Sequence, residues 1–171
     1  MMAAPGPREI ALQIMLQLFE RGRSLDDIFM GRWYRSLVGD VRDLALSREL
    51  ASGLCRWYLP LTAILEARLD KPLRARDRDI SLILLLGLYQ LLVMCTPAHA
   101  AVNETVLLAK RRRKVWATGL INAVLRGVIR DQPELTVNQA RPIRSGFGRR
   151  LKRIGQTIPM RSWRQAMPGH P

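Results

Sequence analysis

Residues 87–129 read GLYQLLVMCTPAHAAVNETVLLAKRRRKVWATGLINAVLRGVI, and the fold turns on this stretch. It opens inside a very apolar segment, breaks at Pro97, and resumes at helical spacing near His99. That second segment runs into Lys110-Arg111-Arg112-Arg113-Lys114, and a third covers about Trp116 to Asp131. The residue before a proline is pushed out of helical geometry, so Pro97 separates two helices rather than kinking one. Leu85, Leu88, Leu92 and Leu125 are expected to be buried where the first and third of these helices meet, since both read as apolar on several faces.

The same spacing extends toward the N-terminus. Pro7 suits a first helical turn, and Ile10, Ala11, Ile14, Met15, Leu18 and Phe19 recur with helical period up to a stop at Gly22. Ser24 can cap a second helix, with Asp26 and Asp27 in its first turn. Asp40 caps a third, through Leu44, Leu50 and Leu54 to Tyr58; Pro60 then opens a short fourth that Pro72 ends. Asp77 and Asp79 precede the apolar fifth helix. No useful run alternates apolar and polar residues, so strands are not expected. The predicted class is all-α, a bundle of about seven helices joined by short connections around one core.

The 171 residues suffice for one domain and a tail. Their 28 basic and 14 acidic side chains give a net charge of +14, which suits a polyanionic partner. Composition shifts after Leu135: residues 1–140 carry +6, whereas residues 141–171 hold eight basic side chains and no acidic one. Residues 1–135 are therefore read as the domain and 136–171 as a basic tail, disordered in isolation, a frameshifted or truncated end. The rival reading is an RNA-binding arm that folds on its target. Cys55 and Cys95 form no CxxC pair and read as buried, reduced thiols of a cytoplasmic protein. No secretory signal is expected at the N-terminus. Ile80 to Cys95 falls short of the roughly 20 residues that cross a bilayer. It is read as a core helix, and no membrane partner is expected.

Three segments, Gly-Leu-Tyr-Gln-Leu-Leu (87–92), His-Ala-Ala-Val-Asn-Glu-Thr-Val (99–106) and Gly-Leu-Ile-Asn-Ala-Val-Leu-Arg (119–126), in this order and spacing, resemble the NusB-like RNA-binding domain. More narrowly, they resemble the version at the N-terminus of bacterial 16S rRNA cytosine-C5 methyltransferases of the RsmB (Sun) family. The resemblance runs from about Arg8 to about Leu135. It implies a module that docks ribosomal RNA and is not catalytic alone, with methyl transfer and S-adenosylmethionine belonging to a further domain that this chain is expected to lack. A ribosomal or transcription-complex protein is a further implied partner. Two other readings stand beside it. One is a free-standing transcription antitermination factor, whose usual Ile-Asn-Glu and Phe-Val-Asn-Gly-Val-Leu-Asp patterns differ from the Ile121-Asn122-Ala-Val-Leu-Arg seen here. The other is a helical domain that docks on protein.

Lys110, Arg111, Arg112, Arg113 and Lys114 are the strongest candidates for RNA contact. Five adjacent cations cannot all be neutralised within the chain, since the nearest upstream acid is Glu104. Arg8, Arg21 and Arg23 form a second basic group, and the resemblance implicates Arg8. The N-terminal MMAAPGPRE is nonetheless poor in arginine, which weakens the antitermination reading. Arg23 can instead pair with Asp26 or Asp27. Asn103, Asn122 and Arg126 lie in the family-like segments; the two asparagines can present amides to RNA or satisfy backbone groups near helix starts. Trp116 is assigned to the core rather than to a nucleobase.

No catalytic or metal-binding set is predicted. His99 has only His170 for company. Cys95-Thr96-Pro97 superficially matches the Cys-containing motifs of cytosine-C5 methyltransferases, but it ends an apolar helix without the glycine-rich and acidic motifs that hold cofactor and base. Gly146-x-Gly148 follows no strand.

Overall fold

The computed structural model describes residues 5–37 and 40–131. The proposed tail, and the domain boundary set at residue 135, lie outside the described residues. Within them every element is helical: α1 (Pro7–Arg21), α2 (Leu25–Met30), α3 (Arg32–Arg35), α4 (Val41–Glu66), a 3-10 turn (Ala75–Asp77), α5 (Arg78–Leu92), α6 (Ala98–Arg111) and α7 (Ala117–Asp131).

The expected caps are in place. Pro7 opens α1, which ends at Gly22 with φ +62°, the left-handed region glycine enters without steric cost. Ser24 Oγ accepts from the Asp27 amide at 3.1 Å while Asp27 Oδ2 accepts from the Ser24 amide at 3.4 Å, a reciprocal capping box. Asp40 Oδ1 accepts from the Arg42 amide at 3.0 Å and starts α4.

Two expectations fail in this half. The predicted third and fourth helices are one, because α4 runs unbroken through Pro60 and ends at Glu66, ahead of Pro72. An internal proline removes one backbone hydrogen bond and costs about 3 kcal/mol. Burial of Leu61, Ile64 and Leu65, on the same face as Leu50 and Leu54, contributes about 1.5–3 kcal/mol for each fully buried side chain and offsets that cost. The four-residue α3 was not expected. It places Tyr34, whose hydroxyl donates to the Leu44 carbonyl at 3.0 Å and so fastens this turn to α4.

The apolar fifth helix is the axis of the bundle. From Asp79 to Gln90 every residue except Ser81 is buried, and α1, α4, α6 and α7 all pack against it. Leu85, Leu88 and Leu125 are buried as expected, whereas Leu92, in the last turn of α5, is only partly covered. Two glycines allow the close approaches. The Tyr89 ring occupies the space a side chain at Gly53 would need, with its hydroxyl donating to Glu49 at 2.8 Å. A β-carbon on Gly87 would lie 2.9 Å from Thr105 Oγ1 and 3.0 Å from Leu125 Cδ1, where α5, α6 and α7 meet. This crossing holds α6 and α7 against the axis and so positions the turn between them.

Candidate nucleic-acid interface

Helix α6 buries Ala101, Val102, Thr105, Leu108 and Ala109 and ends in its basic turn. The Arg113 amide donates to the Lys110 carbonyl at 2.9 Å and the Lys114 amide to the Ala109 carbonyl at 3.0 Å, the paired bonds of a Schellman ending. Such an ending needs one left-handed residue, customarily glycine; here it is Arg113, at φ +59°. The cluster is therefore a defined turn rather than a frayed helix end, and its cations lie at the end of a helix whose exposed carbonyls favour positive charge.

The five cations separate once the turn is folded. Lys114 points inward: its ammonium donates to Asp79 Oδ1 at 2.6 Å, to Asp77 Oδ1 at 3.0 Å and to the Arg76 carbonyl at 3.2 Å. Burial acts to lower its pKa, but the hydrogen bonds and charges of Asp79 and Asp77 outweigh it, and the net shift is upward. Arg112 lies 3.7 Å from Asp79, and Arg111 lies 3.7 Å from Glu9 on α1. Both arginines remain exposed and their contacts are long, and the Asp79 carboxylate is already engaged by Lys114 at 2.6 Å, so a phosphate can displace either pair. Lys110 and Arg113 are exposed and form no ion pair among the described residues. Sequence distance concealed the acids at 77, 79 and 9, because all three reach the turn only through the packing of α5 and α1.

The other candidates are dispersed. Arg8, expected at the RNA, donates to Gln90 Oε1 at 2.7 Å and lies 3.6 Å from Glu104, joining α1 to α5 and α6. Asn122 Nδ2 donates to the Thr118 carbonyl at 2.9 Å, so its amide serves the first turns of α7. Asn103 is exposed on α6, two turns before the basic cluster, and Arg126 is exposed on α7. Arg23 bonds Gln17 Oε1 at 2.8 Å and the Asp27 carbonyl at 3.2 Å.

Trp116 departs from its expected place in the core. It is 57% exposed, because α7 begins one residue later and buries Ala117 in its place. With Lys71, Pro72, Leu73, Arg74, Arg76 and Asp77 it lines an open cleft. The basic residues of that loop escaped notice because they are scattered in sequence. Cys95 is exposed rather than buried, as it follows the end of α5 at φ +52°; Cys55 is half-buried. Among the described residues no cluster of His, Cys, Asp and Glu could hold a metal ion, and no helix is long and apolar enough to cross a membrane.

The family model for NusB matches residues 5–130, nearly the whole described bundle. The chain belongs to the NusB family. Its similar proteins include the ribosomal RNA small subunit methyltransferase B of Pseudomonas syringae pv. tomato, 46% identical over 98 residues that make up 57% of this chain and 22% of that protein. The enzymes of the same description from Pseudomonas putida and Pasteurella multocida are 40% and 38% identical, over 72% and 76% of this chain and 29% and 28% of theirs. The chain thus spans under a third of the length of these relatives. What matches is their N-terminal NusB-like region, and their catalytic domain is not matched. Within the NusB fold, the Gly-Leu-Tyr-Gln-Leu-Leu segment has a packing meaning: Gly87 admits Thr105 and Leu125, Tyr89 fills the gap at Gly53, and Gln90 receives Arg8.

Proposed function

We propose that this NusB-family chain docks RNA, ribosomal RNA in particular, in the manner of the N-terminal module of a small-subunit rRNA methyltransferase, in the cytoplasm and without performing chemistry itself. Methyl transfer from S-adenosylmethionine belongs to the catalytic part of such enzymes. The observation that carries the reading is the α6–α7 turn. Lys110, Arg111, Arg112 and Arg113 are presented together on a hydrogen-bonded turn, two of them without an ion pair among the described residues, in a chain of net charge +14. The kinship with rRNA methyltransferases supports ribosomal RNA over a transcription-antitermination target. Lys114 and Arg8 are left out of the contact set, since short hydrogen bonds within the bundle hold them, Lys114 to Asp79 and Asp77 and Arg8 to Gln90.

Fluorescence anisotropy with a labelled single-stranded rRNA fragment tests this on the full chain. The four phosphate contacts of the turn contribute about −2.8 to the log–log salt slope, and Gln at 111, 112 and 113 together lowers its magnitude by about 2. A second full-length variant carries Gln at the eight basic positions beyond residue 140 and retains most of the binding. If that tail variant loses all binding while the triple Gln variant binds like the parent, the turn is not the RNA site.

A further inference from the structure

We infer that the cleft beside Trp116 is a stacking subsite for one unpaired nucleotide, which makes the domain select single-stranded over duplex RNA. The inference rests on the RNA-docking reading and adds to it a base-binding element distinct from the phosphate-binding turn.

The geometry begins with Lys114. Its three bonds, to Asp79, Asp77 and the Arg76 carbonyl, clamp the α6–α7 turn onto the 3-10 turn before α5. The backbone on the other side is fixed too: the Ala117 amide donates to the Lys114 carbonyl at 3.0 Å, and the Ala117 side chain is fully buried. Trp116 thus sits between two anchored residues while its indole stays more than half exposed. A tryptophan in solvent forfeits the burial energy its large apolar surface offers, unless a ligand covers it.

What surrounds the indole indicates that ligand. Lys71, Arg74 and Arg76 are exposed at the cleft, and Pro72 and Leu73 contribute apolar surface. An aromatic plane flanked by cations is the arrangement that binds single strands: a base stacks on the ring, and the phosphates on either side meet the charges. A base within a duplex has both faces covered by its neighbours and cannot take the place. Asp77 is no obstacle, since its carboxylate is already engaged by Lys114 and Arg76.

The test replaces Trp116 by Ala and by Phe in the full chain and measures affinity for a single-stranded oligonucleotide and for a duplex of the same length. The stacking contribution of one base corresponds to a loss of about fivefold to 140-fold for Trp116→Ala on the single strand, with duplex affinity unchanged. Trp116→Phe keeps part of the affinity, because a ring remains. The salt slope stays at the parent value in both, since no charge is removed, whereas Arg74→Gln with Arg76→Gln lowers its magnitude by about 1.4. Equal single-strand affinity of Trp116→Ala and parent overturns the subsite while leaving RNA docking by the turn intact, and it points to a protein as the occupant of the cleft. A parent chain that binds neither RNA overturns the docking reading and the subsite with it. Thermal melts of both tryptophan variants check the fold, which an exposed side chain should leave within a degree or two.

Discussion

Cys55 and Cys95 differ in chemistry because they differ in cover. Cys55 faces the core near Met15 Sδ, and burial pushes its thiol up to about 12, so almost none is thiolate near neutrality. Cys95 is exposed on the turn after α5. Titration of the native chain with a disulfide reagent near neutral pH should therefore modify Cys95 quickly and Cys55 only on addition of denaturant. Fast modification of both thiols would mean that the α1–α4 contact opens readily. The same dependence on surroundings separates neighbours in the basic cluster. Arg113 and Lys114 are adjacent in sequence, yet one faces solvent with no ion pair among the described residues and the other is held by two aspartates.

Among the helices, the ending of α6 carries a measurable tension between stability and binding. A residue with a β-carbon in left-handed geometry costs roughly 1 kcal/mol relative to glycine. Arg113→Gly should raise stability in a urea melt by about 1 kcal/mol, and Arg113→Ala, which keeps the β-carbon, should change it by under half as much. Both should weaken RNA binding alike, since both lose the charge. A destabilised glycine variant would show that the arginine side chain holds the turn in place. Helix α4 teaches the complementary lesson: local propensity at Pro60 argued for a break, and the apolar face that continues through Leu61, Ile64 and Leu65 overrode it.

Across the bundle, the tie from Lys114 to Asp77 and Asp79 joins the α6–α7 turn to the head of the central helix. Its ammonium has a pKa above the ordinary 10.5 in the folded chain. The group binds its proton more tightly folded than unfolded, so its stabilisation is fully present below about pH 10.5 and is lost as pH rises through the folded value. Lys114→Met should cost about 1.5–3 kcal/mol near neutrality, the range for hydrogen bonds to charged groups. The difference in melting temperature between parent and variant should shrink as pH climbs past that point. A difference constant to pH 12 would mean that the loss came from packing alone.

The all-α class and the starts of α1, α2 and α4 could be read along the chain, because caps and helical period are local: Pro7, Gly22, Ser24 and Asp40 act within a few residues of themselves. The family-like segments were legible for the same reason, as Gly87, Tyr89 and Gln90 keep a fixed spacing on one helix. The cation cluster was visible, but its partition into inward and outward charges was not. Asp79 lies 35 residues before Lys114, and Arg8 lies 82 before Gln90. Only folding brings such groups within 3 Å, where Coulomb energy rises steeply enough to select partners. Trp116 belongs to the same case: its place at the edge of α7 rather than in the core follows from Ala117 filling that core, and its companions Lys71, Arg74 and Arg76 come from a loop that only the packing of α5 against α6 and α7 carries to its side.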